Sequence, residues 1–165
     1  MVQECITTDA SESTAISGST TGVGQQVNTG FIPDFTVTRI RWNLKKELTP
    51  TTLTIQCQHL NSSGVLQDTS SDTYSTTTLT DSFAEYDFEF SSLTISDGDI
   101  FVIVLSGSIS SGGVVIKAGS NAVANTTMMV QQSGSWSTRS RDCDMCFIGV
   151  ADPTGTFFPP PVAYI

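Results

Sequence analysis

Charge is scarce in this sequence, and basic charge is scarcest. Seven Lys+Arg stand against sixteen Asp+Glu, a formal net charge of -9, and charged residues make up only 14% of the 165 residues. Binding to duplex DNA or RNA neutralises phosphates with a basic surface, so nucleic acid is excluded as a main partner. Long apolar runs are also missing. The longest, Ile100 to Leu105, has six residues, against the roughly 18 a membrane span needs, so no membrane partner is expected. Met1 to Ser13 has neither a basic start nor an apolar stretch, so no secretory signal is expected there. Two readings follow: a product made in the cytoplasm, or a piece of a larger or processed precursor.

Histidine is nearly absent, since His59 stands alone. There is no G-x-S-x-G elbow and no phosphate-binding loop, and a Ser-His-Asp arrangement would rest wholly on His59. The chain is therefore read as not an enzyme and as needing no cofactor. The four cysteines are Cys5, Cys57, Cys143 and Cys146. Their even number suits two disulfides, yet a domain of this size does not need staples. Cys143 and Cys146 form a C-x-x-C, but the second C-x-x-C or paired histidines of a zinc site are absent. Cys57 and Cys143 are expected inside the fold as reduced thiols. Cys143 and Cys146 are expected on opposite faces, because three steps along a strand reverse direction.

What is abundant is serine and threonine, 22 and 24 residues, while a coiled coil or helical bundle would need abundant Ala, Glu, Lys and Leu. The hydrophobic pattern has a period of two. Ile40, Trp42 and Leu44 alternate with Arg39, Arg41 and Asn43, and Leu53, Ile55 and Cys57 alternate with Thr54, Gln56 and Gln58. Tyr86, Phe88 and Phe90 alternate with Glu85, Asp87 and Glu89, which puts three aromatics on one strand face and three carboxylates on the other. Those carboxylates read as a solvated strand face rather than as paired catalytic acids. Arg39 and Arg41 are expected to face outward and to meet acidic side chains across the sheet or across a subunit contact. Further strands are read at Ile100–Leu105, around Val114–Lys117, around Met128–Gln132 and from Asp142 to Val150. Clusters such as Asn61-Ser62-Ser63-Gly64 and Ser96-Asp97-Gly98-Asp99 mark turns. The expected fold is all-β: a single antiparallel β-sandwich, a jelly roll of about eight strands. Residues 1–24 are read as an extended N-terminal arm, 25–150 as the sandwich and 151–165 as a Pro-rich apolar tail.

The order of these signals from Gly30 to Val150 resembles a jelly-roll β-sandwich found as an accessory domain of secreted bacterial proteins and in phage virion proteins. The resemblance is carried by the strand Thr38-Arg39-Ile40-Arg41-Trp42-Asn43-Leu44, the run Thr49 to Ile55 and the strand Tyr86-Asp87-Phe88-Glu89-Phe90. It continues in Asp97 to Leu105, in Gly134-Ser135-Trp136 and in Asp144-Met145-Cys146-Phe147. It implies a fold and a structural role for Trp136.

Several positions are weighed as sites. Asp97, Asp99, Asp142 and Asp144 are short carboxylates at turns or strand starts, a weak calcium candidate set whose alternative is turn formation. Trp42 shares the face of Ile40 and Leu44 and reads as core. Tyr74 and Tyr164 are isolated, so a glycan has no clear aromatic platform. Asn61-Ser62-Ser63 and Asn125-Thr126-Thr127 match the glycosylation sequon, as expected by chance in so Ser/Thr-rich a chain. The tail carries Phe157, Phe158, Val162, Tyr164 and Ile165 around Pro159, Pro160 and Pro161, which fix an extended conformation without ladder donors. It either folds back on its own sandwich or packs on a neighbouring subunit. The second is expected, making Phe157, Phe158, Pro160, Val162, Tyr164 and Ile165 the partner-contact residues. The functional expectation is a structural virion subunit: a phage capsid decoration, head-fibre or tail-associated protein. Its partners would be copies of itself or other virion proteins, assembled in the host cytoplasm. The alternative is an extracellular carbohydrate-binding or adhesion module, or a filament subunit.

Overall fold

A computed structural model describes residues 1–7, 12–120 and 123–150. The strands are β1 (Val2–Ile6), β2 (Glu12–Ile16), β3 (Thr20–Val27), β4 (Thr36–Glu47), β5 (Thr54–Leu60), β6 (Leu66–Thr69) and β7 (Tyr74–Ser75). After one 3-10 turn at Thr76–Thr78 come β8 (Ala84–Leu93), β9 (Ile100–Leu105), β10 (Gly113–Ser120), β11 (Thr126–Gln132), β12 (Ser135–Arg139), β13 (Arg141–Cys143) and β14 (Met145–Val150). They form two antiparallel sheets of seven strands each. The first runs β1-β14-β4-β10-β13, with β2 on β10 and β8 on β4; the second runs β12-β11-β3-β9-β5-β6, with β7 on β5. The all-β, two-sheet architecture is thus as expected, whereas the count of about eight strands is corrected to fourteen among the described residues. The N-terminal segment is also corrected. Residues 2–6, 12–16 and 20–27 are ladder strands, with β3 central in the second sheet between β11 and β9.

The core lies between the sheets. From β4 come Val37, Ile40, Trp42 and Leu44, all fully buried. Val37 and Ile40 are three residues apart yet share a face, because the pairing with β8 shifts register between Val37 and Arg39; an irregularity of this kind re-aims the side chains that follow. Phe88 of β8, Phe101 and Ile103 of β9, and Met145 and Phe147 of β14 pack against them. Phe101 and Phe147 meet edge to face at 5.1 Å. Trp42 donates its indole N–H to Cys57 Sγ at 3.3 Å, so its one polar atom is satisfied in the core.

A buried polar clasp ties the two sheets together near β13. Gln25 of β3 donates from Nε2 to Asp142 Oδ1 at 2.7 Å and accepts the Cys143 backbone N–H at 2.7 Å. Thr126 of β11 adds its hydroxyl to the same Asp142 oxygen at 2.7 Å. Gln25 and Asp142 are fully buried. Polar groups at that depth are tolerated only when hydrogen-bonded, so the clasp fixes how β13 sits on the second sheet. β4 changes partner along its length. Its first part pairs with β14 and its last with β10, and the chain at Asp144 bridges the fork: Asn43 N donates to Asp144 O, and Asp144 N to Lys117 O.

Candidate functional site

The outer face of the first sheet holds the densest chemistry. Strand alternation aims Arg39 and Arg41 outward from β4, and pairing in register with β8 puts Glu89 and Asp87 directly opposite them. Arg41 grips Asp87 with two hydrogen bonds, Nε to Oδ1 at 2.6 Å and Nη2 to Oδ2 at 3.0 Å. Arg41 Nη1 also reaches Glu85 Oε2 at 3.1 Å. Arg39 reaches Asp87 Oδ2 at 3.2 Å and Glu89 Oε1 at 2.7 Å. The Arg41 hydrogen bonds hold the Asp87 carboxyl below the ordinary carboxylate range, and Asp87 in turn raises Arg41. Lys117 pairs with Asp144 at 2.8 Å, and Lys45 lies over the Phe83 ring at 4.9 Å. The expected outward arginines meeting acidic partners are found, and within one chain. Beside this ladder, at the β4 fork, Asn43 Oδ1 is buried without a hydrogen-bond partner.

The same sheet ends in an edge that the sequence pattern missed. β1 lies antiparallel on β14 with Cys5 directly opposite Cys146, and the two form a disulfide with Cα atoms 4.0 Å apart. Cys57 and Cys143 are free and buried, as expected. Burial pushes the Cys57 thiol up to about 12, and Cys143 is raised as well, by burial first and by the neighbouring Asp142 and Asp144 charges. Cys143 points inward, its thiol 3.6 Å from Gly24 O, while Cys146 lies outward between the fully or nearly fully buried Met145 and Phe147. The opposite facing of the C-x-x-C is therefore present. What pairs with Cys146 is the N-terminal strand β1.

Each of the four aspartates considered for calcium has a carboxylate oxygen engaged by a protein donor. Asp97 Oδ1 accepts Thr29 N at 2.6 Å, and Asp99 Oδ2 accepts Ser96 N and meets His59 Nε2, both at 2.8 Å. Asp142 belongs to the clasp and Asp144 to the Lys117 pair. Among the described residues no group of three or more His, Cys, Asp or Glu is placed to hold a metal ion. His59 is buried, with its ring stacked on Phe101 at 4.8 Å.

On the outer face of the second sheet, Trp136 packs on a small apolar cluster of Leu60, Ile100, Val102 and Met129. Its indole lies close over Gly22, where strand β3 has no side chain to lift it away, and Gly64 of the β5–β6 turn sits against its Nε1 side. Trp136 thus closes a satellite core. Tyr74 packs edge to face on Tyr86 and Phe88, and its hydroxyl donates to Asp87 O at 2.8 Å. It also lines an open cleft of about 380 Å³ with Thr52, Leu53, Thr54, Thr73, Ser75 and Ser106. In the sequons, Asn61 Oδ1 accepts Ser63 N and Val65 N to shape its turn, and the Thr126 hydroxyl is spent on Asp142. The expected contact residues Phe157, Phe158, Pro160, Val162, Tyr164 and Ile165 lie outside the described residues.

Compared with family models, with curated proteins and with solved structures, the chain matches none of them.

Proposed function

We propose that the chain is a non-enzymatic structural subunit, built as a jelly-roll sandwich and acting through protein–protein assembly, most simply as a virion component such as a capsid decoration, head-fibre or tail-associated protein. The observation that carries this reading is where the polar chemistry is spent. The arginine–carboxylate ladder and the Gln25–Asp142–Thr126 clasp join strand to strand, and the His59–Asp99 contact ties β5 to the turn before β9, so these groups stiffen a scaffold. The apolar tail with Phe157, Phe158 and Tyr164 supplies a contact segment to neighbouring subunits. The test is mass photometry and electron microscopy of the purified chain, with and without residues 156–165. Ordered oligomers or particles that are lost on truncation support the reading. A monomer at every concentration, in both forms, refutes it.

A second reading is favoured by the Cys5–Cys146 disulfide. Such bonds persist in oxidising surroundings, which suits an extracellular adhesion, glycan-binding or filament subunit. Glycan binding by the purified chain, without self-association, would select it.

A further inference from the structure

The β1–β14 edge carries a covalent bond beside its five-residue ladder. Among the described residues β1 pairs with β14 alone, and of its five residues only Ile6 is fully buried. Beneath it, Met145-Cys146-Phe147-Ile148-Gly149-Val150 is six residues without a charge or a proline, the composition that pairs readily with any extended chain when its edge is open. Directly opposed cysteines bonded across a ladder mark a pair whose own N–H and C=O groups point away from each other. The main-chain bonds between the two strands therefore fall on Ile6 with Met145, Glu4 with Phe147 and Val2 with Gly149. Without β1, those β14 groups would face water along an apolar strand, a template for strand addition.

The other edges are guarded differently. β8 is sealed by Ser71 N donating to Glu89 O and by Glu89 N donating to the Asp72 carboxylate. β6 is four residues long, and β12 carries Arg139. Only at β14 is the guard a strand held by a bond that can be opened. Both cysteines are half-buried rather than sealed in the core, so a thiol reagent can reach them.

We propose that the β14 edge is an interface between copies of this chain, in which β1 of a second copy replaces the chain's own β1 and the Cys5–Cys146 bond re-forms between chains. The inference deepens the structural-subunit reading by naming the partner and its seat. The occupant is specified by the strand already in place: its register, the core position of Ile6 and the cysteine opposite Cys146 are the same whichever copy supplies it. Exchange of an identical element between protomers adds no new contact and so needs no new surface.

The chemistry is thiol–disulfide exchange. A thiolate of an external dithiol attacks one of the two sulfurs and expels the other as a thiolate. The second thiol of the reagent then displaces the protein sulfur, leaving two protein thiols and a cyclic disulfide of the reagent. Closure runs through glutathione disulfide. One protein thiolate attacks it and expels a glutathione thiolate, and the second chain's cysteine then expels the other. Two electrons pass from the two protein thiols to the glutathione disulfide.

The test mixes equal amounts of nitrogen-15-labelled and unlabelled full chain. The mixture is opened with dithiothreitol under native conditions, concentrated, closed with glutathione disulfide and digested for mass spectrometry. With complete exchange, about half of the Cys5–Cys146 peptides join one heavy and one light chain. If every such peptide is isotopically uniform, the proposal fails. In parallel, Cys5→Ser and Cys146→Ser variants, each unable to close its own bond, are mixed and oxidised. A covalent one-to-one dimer is expected, and monomers alone would overturn the idea. Mass photometry of the untreated chain separates the two claims. Oligomers with uniform peptides would sink strand exchange and leave the structural reading standing, while mixed peptides from a chain monomeric before treatment would do the reverse.

Discussion

Replacing Asp87 by asparagine should cost stability in a way that depends on pH and identifies the outer ladder as its source. Asp87 accepts three hydrogen bonds from guanidinium groups, two from Arg41 and one from Arg39. Exposed ion pairs are worth about 0.2–1 kcal/mol each, and a two-pronged arginine–carboxylate grip lies at the upper end. The Asp87 side chain is 28% exposed, so screening is incomplete and a total loss of about 1–2 kcal/mol is expected. In a domain of this size that is a fall in melting temperature of about 3–6 °C. The folded carboxyl is held below its ordinary value, chiefly by the Arg41 hydrogen bonds. Its contribution is therefore complete above the unfolded pKa, near pH 4, and is lost as pH falls through the depressed folded value. Urea unfolding of wild type and Asp87→Asn at pH 7 should show the full gap, and the gap should narrow as pH is lowered from about 4 to about 2. The Arg41→Gln variant completes a double-mutant cycle with a coupling of about 0.5–1 kcal/mol. A gap unchanged down to pH 2, or a coupling of zero, would show that the ladder is decoration and that the cost arises elsewhere.

Three further outcomes follow from the packing. The Cys5→Ser, Cys146→Ser double variant opens a covalent loop spanning 141 residues of separation, for which loop entropy gives a loss of about 4–5 kcal/mol; a urea midpoint corresponding to under about 1 kcal/mol would refute that account. Cys57 and Cys143 should resist a maleimide in the folded protein and react fully once it is unfolded in urea, because burial suppresses their thiolates; rapid native labelling of either would contradict their placement. Gly149→Ala sets a Cβ against Thr36 O at the point where the β14–β4 pairing shifts register, so a loss of more than about 2 kcal/mol is expected by thermal melting, and a neutral result would mean the irregularity is absent.

Legibility in the sequence followed alternation. β4 and β8 were readable because apolar inward and charged outward residues alternate along them, and β9 because it is apolar throughout. β3 was unreadable because its inward row is Val23, Gln25 and Val27, with a buried glutamine where the pattern wants an apolar side chain, and its outward row includes Gly22 and Gly24. Both departures have structural reasons: Gln25 builds the clasp, and a side chain at Gly24 would strike Phe101 O at 2.6 Å. Asp142 resembled a turn aspartate, since nothing local shows that its partner Gln25 lies more than 100 residues away on β3. The disulfide was hidden for the same reason. Cys5 sits in a five-residue strand, and the ladder residue opposite it is 141 residues distant.

That long-range pairing of the first strands carries a consequence for how the chain is made. β1 waits for β14, β2 for β10, and β3 for β9 and β11, so none of the described residues among the first 27 has a ladder partner before residue 100. At about 5–20 residues per second, the leading segment spends several seconds outside the ribosome before Ile100 is added. The middle of the chain can begin without it, because β4 pairs with β8, and β5 with β6 and β7, all within residues 36–93. The serine, threonine, glycine and glutamine that dominate residues 1–27 make the leading segment a soluble one during the wait. Its polar composition thus suits the interval before its partners exist, and β1 gains its ladder only once β14, more than 100 residues later, has been added.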